Sequence, residues 1–338
     1  MEPAFNVRNQ SEVYIGPVAD ILSGVLPEAR VVVVSDATID RLYHPLLAPY
    51  DTVLIGTGES IKTLQTVETI YRRFIELGVD RKTFVLGIGG GIVTDVAGFA
   101  ASTYMRGVRF GFVSTTLLGQ VDASVGGKNG VNVDGYKNMA GTFTQPQFVI
   151  CDPALLRTLP DREFRAGLAE VVKAAVIADG DLFTRLEQTT FETLRSDTDL
   201  LNDVISAAVR VKADIVEHDE KESGERRKLN LGHTLAHAIE KCSNRMNHGE
   251  AVAAGTSLIA GAAVKLGVLR EEDRQRIDSV LLHLGFELTP PVEVKRLLKE
   301  VGKDKKSEDG LLRIVLPVGI GDCEVRPMTR EEFAALFV

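Results

Sequence analysis

The sequence predicts an open, doubly wound α/β domain followed by a mostly α-helical domain. In the first half of the chain, short apolar runs bounded by turn residues alternate with helical patterns, as expected for buried parallel strands and their covering helices. After about residue 158 the pattern becomes almost entirely helical. Because 338 residues exceed what one hydrophobic core usually serves, we expect two domains, 1–158 and 159–338.

Each element follows from a local pattern. Apolar residues recur at a period near 3.6 between residues 60 and 78, which indicates an amphipathic helix. Its alternation with strands is typical of a Rossmann-like sheet. The strand candidates are 31–36, 51–56, 83–88 and 110–115. The later helix candidates are 163–178, 181–193, 198–218, 231–242, 249–266 and 271–284, with a possible strand pair at 311–316 and 322–326.

Composition limits the partners and the compartment. A net charge of −8 argues against a broad surface for nucleic acid or for an anionic membrane, since both require a basic face. Cys151, Cys242 and Cys323 are far apart and odd in number, which favours reduced thiols. No apolar run approaches the length of a membrane span, and the N-terminus lacks the apolar core of a signal peptide. We expect a soluble cytoplasmic protein.

Histidines are concentrated in one short segment. Three of the six in the chain, His233, His237 and His248, fall within sixteen residues. The i, i+4 spacing of the first two places both imidazoles on one face of a helix. Together with a carboxylate such as Glu170, two imidazoles that leave one position open are the usual ligands of a catalytic zinc. The spacing alone is equally compatible with a capped or core-facing histidine pair that binds no metal.

A glycine-rich turn, GIGGGIVTD at 87–95, follows a predicted strand and precedes a predicted helix. That context suits a diphosphate held by the amides of a helix N-terminus, although tight packing is the alternative. The run departs from G-x-G-x-x-G, because Ile92 stands at the third glycine. Asp36 ends one strand, and Glu59 and Lys62 follow another. We expect all of these turns at the carboxyl edge of one sheet, where such folds bind ligands.

Two further segments are unusual in composition. Residues 101–152 are rich in Gly, Asn and Thr and carry Arg106, Lys128 and Lys137, which suits a long ordered loop that binds a phosphate or a carboxylate. The charged segment 217–228 has the composition of a solvated loop, but it directly precedes the histidine helix.

The chain contains, in this order, the strings MRGVRFGFVSTTLLGQVDASVGGKNGVN, GKNGVNVDGYKN, AEVVKAA, RKLNLGHTLAHAIE and NHGEAV. Taken together and in order, they resemble the 3-dehydroquinate synthase family. The resemblance extends from the first strand to KDKK near residue 305. It implies a Rossmann-like N-terminal domain, a helical C-terminal domain, bound NAD, a divalent metal (zinc or cobalt) in the cleft between them, a small sugar-phosphate substrate and a homodimer.

The resemblance also assigns residues. The implied metal ligands are Glu170, His233 and His248, with His237 facing the substrate. The implied NAD contacts are Asp36, Glu59, Lys62, Gly90, Gly91, Asp95, Thr115, Thr116, Asp122, Lys137, Thr158 and Leu159. The implied catalytic and substrate-binding residues are His237, Lys173, Lys128, Asn138, Arg106, Lys212, Glu222, Arg226, Asn230 and Lys305 or its neighbour Lys306. We expect Lys128, Lys173 and Arg226 to be exposed charges that serve the substrate, so that replacement by Met changes stability by at most about 1 kcal/mol.

The implied reaction converts 3-deoxy-D-arabino-heptulosonate 7-phosphate to 3-dehydroquinate and phosphate, with NAD recycled in each turnover. The loop KNGVNVDGYKN departs from the common family pattern at Asn129 and Tyr136 and lacks a proline. Asn230 and His237 match the dehydroquinate type. Another sugar-phosphate cyclase, a metal-dependent NAD polyol or glycerol-phosphate dehydrogenase, and a catalytically inactive nucleotide-binding protein stay open as alternatives.

Overall fold

The computed structural model describes residues 2–301 and 310–337. The chain divides into two compact units, Met1–Pro160 and Asp161–Val338, called unit 1 and unit 2 below. Lys305 and Lys306 lie outside the described residues. Within the described ranges, no helix combines the length and the apolarity that a membrane crossing requires.

The described residues of unit 1 form nine strands, of which seven make one sheet and two make a separate hairpin. Its strands are β1 (Phe5–Val7), β2 (Ser11–Ile15), β3 (Val31–Asp36), β4 (Asp51–Ile55), β5 (Phe84–Gly89), β6 (Phe110–Ser114), β7 (Lys128–Val133), β8 (Tyr136–Phe143) and β9 (Phe148–Cys151). Its helices are α1 (Val18–Val25), α2 (Ala37–Leu47), α3 (Leu64–Glu76) and α4 (Gly91–Thr103). The sheet order is β1-β2-β9-β6-β5-β3-β4, and β7 and β8 form a separate hairpin.

The strand order contains a switch point. β4 lies on one side of β3, whereas β5, β6 and β9 extend the sheet on the other side, and all of these pairs are parallel. The carboxyl ends of β3 and β5 therefore border the crevice where doubly wound sheets bind ligands. The α/β class and the four predicted strands, now β3 to β6, are confirmed.

The prediction of a long loop over 101–152 is wrong in part. Besides β6, the segment contains β9 and the antiparallel hairpin of β7 and β8. The hairpin turns at Asp134 and Gly135, where φ is 50° and 77°. An Asp-Gly pair with positive φ at both residues is the favoured two-residue hairpin turn, so the sequence carried a signal for it.

Unit 2 is mostly helical. Its helices are α5 (Asp161–Ala178), α6 (Gly180–Glu187), α7 (Phe191–Ser196), α8 (Thr198–His218), α9 (His233–Cys242), α10 (His248–Lys265), α11 (Glu271–His283), α12 (Val294–Val301) and α13 (Arg330–Ala335), and its strands are β10 (Leu312–Gly319) and β11 (Asp322–Met328). The predicted helix at 181–193 is instead two helices. The break occurs because Thr190 caps α7, its hydroxyl accepting the Thr193 amide at 3.1 Å.

Helix α5 is the centre of unit 2. Every residue from Ala166 to Ile177 is buried, as expected for a helix that is packed on all sides. α10 packs against both α5 and α9. The hairpin of β10 and β11 also contacts α5, through a hydrogen bond of 3.0 Å from the Gly321 amide to the Val176 carbonyl. The two charged residues of this stretch, Glu170 and Lys173, therefore lie in the interior of the unit.

Candidate active site

Three side chains of unit 2 converge on one point. Glu170, His233 and His248 place their ligand atoms within 4.8 Å of one another. Nε2 of His248 lies 3.4 Å from Oε1 of Glu170, and Nε2 of His233 lies 3.7 Å from the same oxygen. Two imidazole nitrogens and one carboxylate, with a position left open, suit a catalytic zinc or cobalt. These three residues could hold a divalent metal.

The ligand-bearing side chains come from three helices. Glu170 lies in the middle of α5, while His233 and His248 are the first residues of α9 and α10. Asn247 is the N-cap residue of α10 and forms a capping box with Glu250. Its side-chain oxygen accepts the backbone amide of Glu250 at 2.9 Å. The cap fixes where α10 starts and therefore where His248 lies.

Close backbone contacts set the spacing of these helices. A Cβ on Gly249 would lie 2.3 Å from Cα of Ala166, one turn before Glu170 on α5. A Cβ on Gly255 would lie 2.3 Å from the carbonyl oxygen of Gly232, which directly precedes His233. Only glycine allows either approach. The sequence interpretation did not single out Gly249 or Gly255, although the small residues of NHGEAVAAG were a signal.

The two histidines of this set have different electrostatics. Burial, followed by the nearby Lys173 ammonium, lowers the pKa of His233 to about 4. Burial also opposes protonation of His248, but hydrogen bonds to Glu170 and Glu240 outweigh it and raise that pKa to about 9. Lys173 forms an ion pair with Oε2 of Glu170. At neutral pH His233 is therefore a neutral imidazole, the form in which histidine binds a metal.

His237 does not belong to the converging set, despite its i, i+4 spacing from His233. Its ring centroid lies 5.6 Å from that of His233, in an edge-to-face arrangement. The ring is thus a neighbour of the three converging side chains.

The charged segment 217–228 continues from the end of α8 as an ordered loop in which only Arg226 is buried, so the exposure suggested by its composition is largely observed. The Asp219 carboxylate accepts the amides of Ser223, Gly224 and Arg226 at 3.0, 2.7 and 3.0 Å. Asn230 donates its side-chain amide to the Glu222 carboxylate. Two predicted site residues are therefore paired within this loop.

The expectation that Lys173 and Arg226 are exposed is wrong. The Lys173 side chain is 3% exposed, and Arg226 is 1% exposed with a hydrogen bond to the Glu220 carbonyl. Lys212 on α8 is also buried. Lys128 is exposed as expected. Lys173 is buried because it lies on α5, and Arg226 is buried because its segment packs against α8 and α5.

The carboxyl edge of the sheet in unit 1 carries the predicted cofactor residues. Asp36 ends β3, Gly90 and Gly91 link β5 to α4, and Thr115 and Thr116 follow β6. Oδ1 of Asp36 also caps α2, an additional structural role that the sequence interpretation did not assign. A Cβ on Gly90 would lie 2.8 Å from Cγ2 of Thr116, so this turn has no room for a side chain.

Other predicted cofactor residues of unit 1 form one polar network. The Lys62 ammonium pairs with Asp95 and donates to Oδ1 of Asn138 at 2.6 Å. Asn132 donates to Glu59 at 2.8 Å, and its own Oδ1 accepts the Asn138 amide at 2.9 Å. The network connects the turn after β4, helix α4 and the hairpin, and it includes both predicted cofactor and predicted substrate residues.

The remaining candidates of unit 1 are placed as follows. Arg106 is exposed with a φ of 69°, and Lys137 is exposed on β8. Asp122 lies in a short π-helical turn, Gly119–Ala123. The Thr158 hydroxyl lies 2.6 Å from that of Tyr43, and Leu159 directly follows.

Both units match one family along the chain. Residues 52–166 match the 3-dehydroquinate synthase N-terminal family, and residues 167–307 match the 3-dehydroquinate synthase C-terminal family. This chain belongs to the 3-dehydroquinate synthase family. A 3-dehydroquinate synthase from Halorhodospira halophila is 44% identical over 323 residues, which cover 93% of this chain and 91% of the relative.

Solved sugar-phosphate cyclases share the whole fold. A 2-epi-5-epi-valiolone synthase from Streptomyces hygroscopicus subsp. jinggangensis, with NAD⁺ and Zn²⁺ bound, is 31% identical with a TM-score of 0.88. A 2-deoxy-scyllo-inosose synthase complexed with carbaglucose-6-phosphate, NAD⁺ and Co²⁺ is 26% identical with a TM-score of 0.86. Each comparison covers 96% of this chain and 95% of the other.

Sequence reasoning also missed Glu240. Its carboxylate lies 3.3 Å from Nδ1 of His248. Glu240 is seven residues after His233, so the two share a face of α9, a periodicity that could have revealed it.

Proposed function

We propose that this protein is a 3-dehydroquinate synthase that uses NAD and a divalent metal, zinc or cobalt. It converts 3-deoxy-D-arabino-heptulosonate 7-phosphate to 3-dehydroquinate and phosphate in the shikimate pathway to aromatic amino acids. The observation that carries the proposal is the convergence of Glu170, His233 and His248 in a chain that matches the family along most of its length.

Glu170, His233 and His248 would hold the metal. When bound, such a metal acts as a Lewis acid that acidifies a substrate hydroxyl and polarises a carbonyl. His233 needs no deprotonation at neutral pH, because its pKa is about 4. Lys173 balances the buried Glu170 carboxylate through their ion pair.

The carboxyl edge of the sheet in unit 1 would hold NAD. When bound, NAD accepts a hydride from the substrate and returns it within one turnover, so it is not consumed. Gly90 and Gly91 would let a diphosphate approach the first amides of α4. Asp36 would accept the ribose hydroxyls with the carboxylate oxygen that does not cap α2.

The substrate's phosphate and carboxylate require cations that a net acidic chain must supply locally. We assign this role to Arg106, Lys128, Lys173, Lys212 and Arg226. His237 would move a proton at the substrate, because its ring adjoins His233 without belonging to the converging set.

The proposal extends to assembly and compartment. A homodimer is supported by large apolar side chains exposed on the hairpin strand β8, namely Tyr136, Met139 and Phe143. A cytoplasmic location is supported by the cysteines, which are all free thiols.

Metal-loaded protein, incubated with the heptulosonate phosphate and a trace of NAD, tests the proposed reaction. Phosphate and 3-dehydroquinate should form in equal amounts, far beyond the NAD supplied, with no net NADH absorbance. Stoichiometric NADH release would favour the dehydrogenase alternative. Phosphate release with a different carbocycle as product would favour another sugar-phosphate cyclase.

A further inference from the structure

Glu240 holds the ring of one proposed metal ligand from behind. Its carboxylate lies 3.3 Å from Nδ1 of His248, the ring nitrogen opposite to the one that faces Glu170. The Glu240 side chain is only 10% exposed. Because Glu240 and His233 both belong to α9, this helix supplies one ligand and orients the ligand of the neighbouring helix α10.

The second histidine of the set is held differently. Nδ1 of His233 meets the backbone carbonyl of Leu231 at 3.1 Å, which is a neutral acceptor. Among the described residues, His248 is the ligand whose Nδ1 meets a charged side chain. A carboxylate behind a ligating imidazole fixes the tautomer, aims the free nitrogen and increases its basicity toward the metal.

The local charge balance gives Glu240 a second role. The Lys173 ammonium pairs with Glu170, so a dication bound by Glu170 would lie near a fixed positive charge. Repulsion between the Lys173 ammonium and the dication weakens metal binding, most strongly in a buried site. A second buried carboxylate, on the far side of His248, offsets that repulsion.

We propose that Glu240 is a positioning residue for the metal, one that keeps Nε2 of His248 directed at the metal position and adds the negative charge that offsets Lys173. This inference rests on the proposed ligand set of Glu170, His233 and His248. It predicts that Glu240 governs metal affinity without being a ligand.

Two substitutions separate orientation from charge. Glu240→Gln keeps a hydrogen-bond acceptor for Nδ1 but removes the charge, whereas Glu240→Ala removes both. Glu187→Gln is the charge-matched control, because Glu187 is a carboxylate of unit 2 that pairs with Arg276 at 2.7 Å and does not belong to the converging set of Glu170, His233 and His248.

Zinc affinity is measured by competition with a chromophoric chelator at neutral pH, and the cobalt complex is followed by its visible absorption. We expect one metal per chain in all variants, with affinity reduced about 10- to 100-fold in Glu240→Ala and less in Glu240→Gln. The cobalt spectrum should change in Glu240→Ala and stay as in the wild type for Glu187→Gln.

Zinc affinity of Glu240→Ala within about twofold of the wild type would overturn the role of Glu240. If Glu240→Ala does not fold, an unchanged affinity and cobalt spectrum in Glu240→Gln would overturn the charge role. Failure of the wild type and of Glu187→Gln to bind metal would instead refute the ligand set itself, so the two ideas fail in different ways.

Discussion

Replacing Lys173 with Met tests whether the buried ion pair of α5 compensates the charge of Glu170. The two side chains are 3% and 1% exposed. Removal of one partner of a buried pair costs about 3–5 kcal/mol in the free energy of unfolding when the other charge is left uncompensated. His248, whose pKa of about 9 keeps it protonated beside Glu170 at neutral pH, supplies part of the compensation and places the expected cost at the lower end of that range. For a unit of this size, 1 kcal/mol shifts Tm by about 2–4 °C, so metal-free Lys173→Met should unfold on the order of 10 °C below metal-free wild type.

A divalent metal bound to Glu170 replaces the missing positive charge. With saturating zinc, the difference in Tm between Lys173→Met and wild type should therefore narrow to a few degrees. Calorimetry of chelator-treated and zinc-loaded samples measures both differences. Lys265→Met is the control, because Lys265 is exposed on α10 and its loss should cost less than about 1 kcal/mol in either state. An equal loss with and without zinc would refute the charge argument and point to packing by the lysine stem.

Three further predictions concern other parts of the site. His237→Ala should retain zinc by metal analysis while losing about 100-fold or more in kcat, whereas His248→Ala should lose zinc. The reverse result would mean that His233 and His237, the i, i+4 pair, are the metal ligands. Gly90→Ala should weaken NAD binding in calorimetric titration without changing zinc affinity, because its Cβ would lie 2.8 Å from Thr116; unchanged NAD affinity would contradict that placement. Burial opposes ionisation of Asp219, but its hydrogen bonds outweigh burial and lower its pKa below the ordinary 3.8. That stabilisation is fully present above pH 3.8 and is lost as pH falls through the lower folded-state pKa. The Tm difference between wild type and Asp219→Asn should shrink on acidification, and a constant difference would contradict the role of the carboxylate.

The sheet was largely predictable because buried parallel strands appear as continuous apolar runs. Three strands of the seven-stranded sheet, β1, β2 and β9, were not predicted. β1 has three residues, and the four-residue β9 is inserted between β2 and β6 by pairings with distant segments. A local window contains no information on such pairings.

From residue patterns alone, the site was predictable in residue type but not in grouping or burial, and the set of Glu170, His233 and His248 was implied by the family resemblance. The i, i+4 spacing suggested His233 with His237, whereas the structure groups His233 with His248 and Glu170. That grouping depends on α10 meeting α5, a contact that spacing along one helix does not encode. For the same reason, Lys173 was expected to be exposed although it lies inside unit 2.

The glycine contacts of α10 have a consequence for which ions and which new activities this scaffold admits. Backbone rests on backbone at Gly249 and at Gly255, with no intervening side chain that could change rotamer and absorb a shift. The spacing of the helices that carry the three donors is therefore set by backbone contact, and two imidazoles with one carboxylate suit zinc or cobalt better than calcium, which needs more oxygen ligands at longer distances. Substitutions that adapt the site to another sugar phosphate must likewise preserve the contacts of Gly249 with Ala166 and of Gly255 with Gly232.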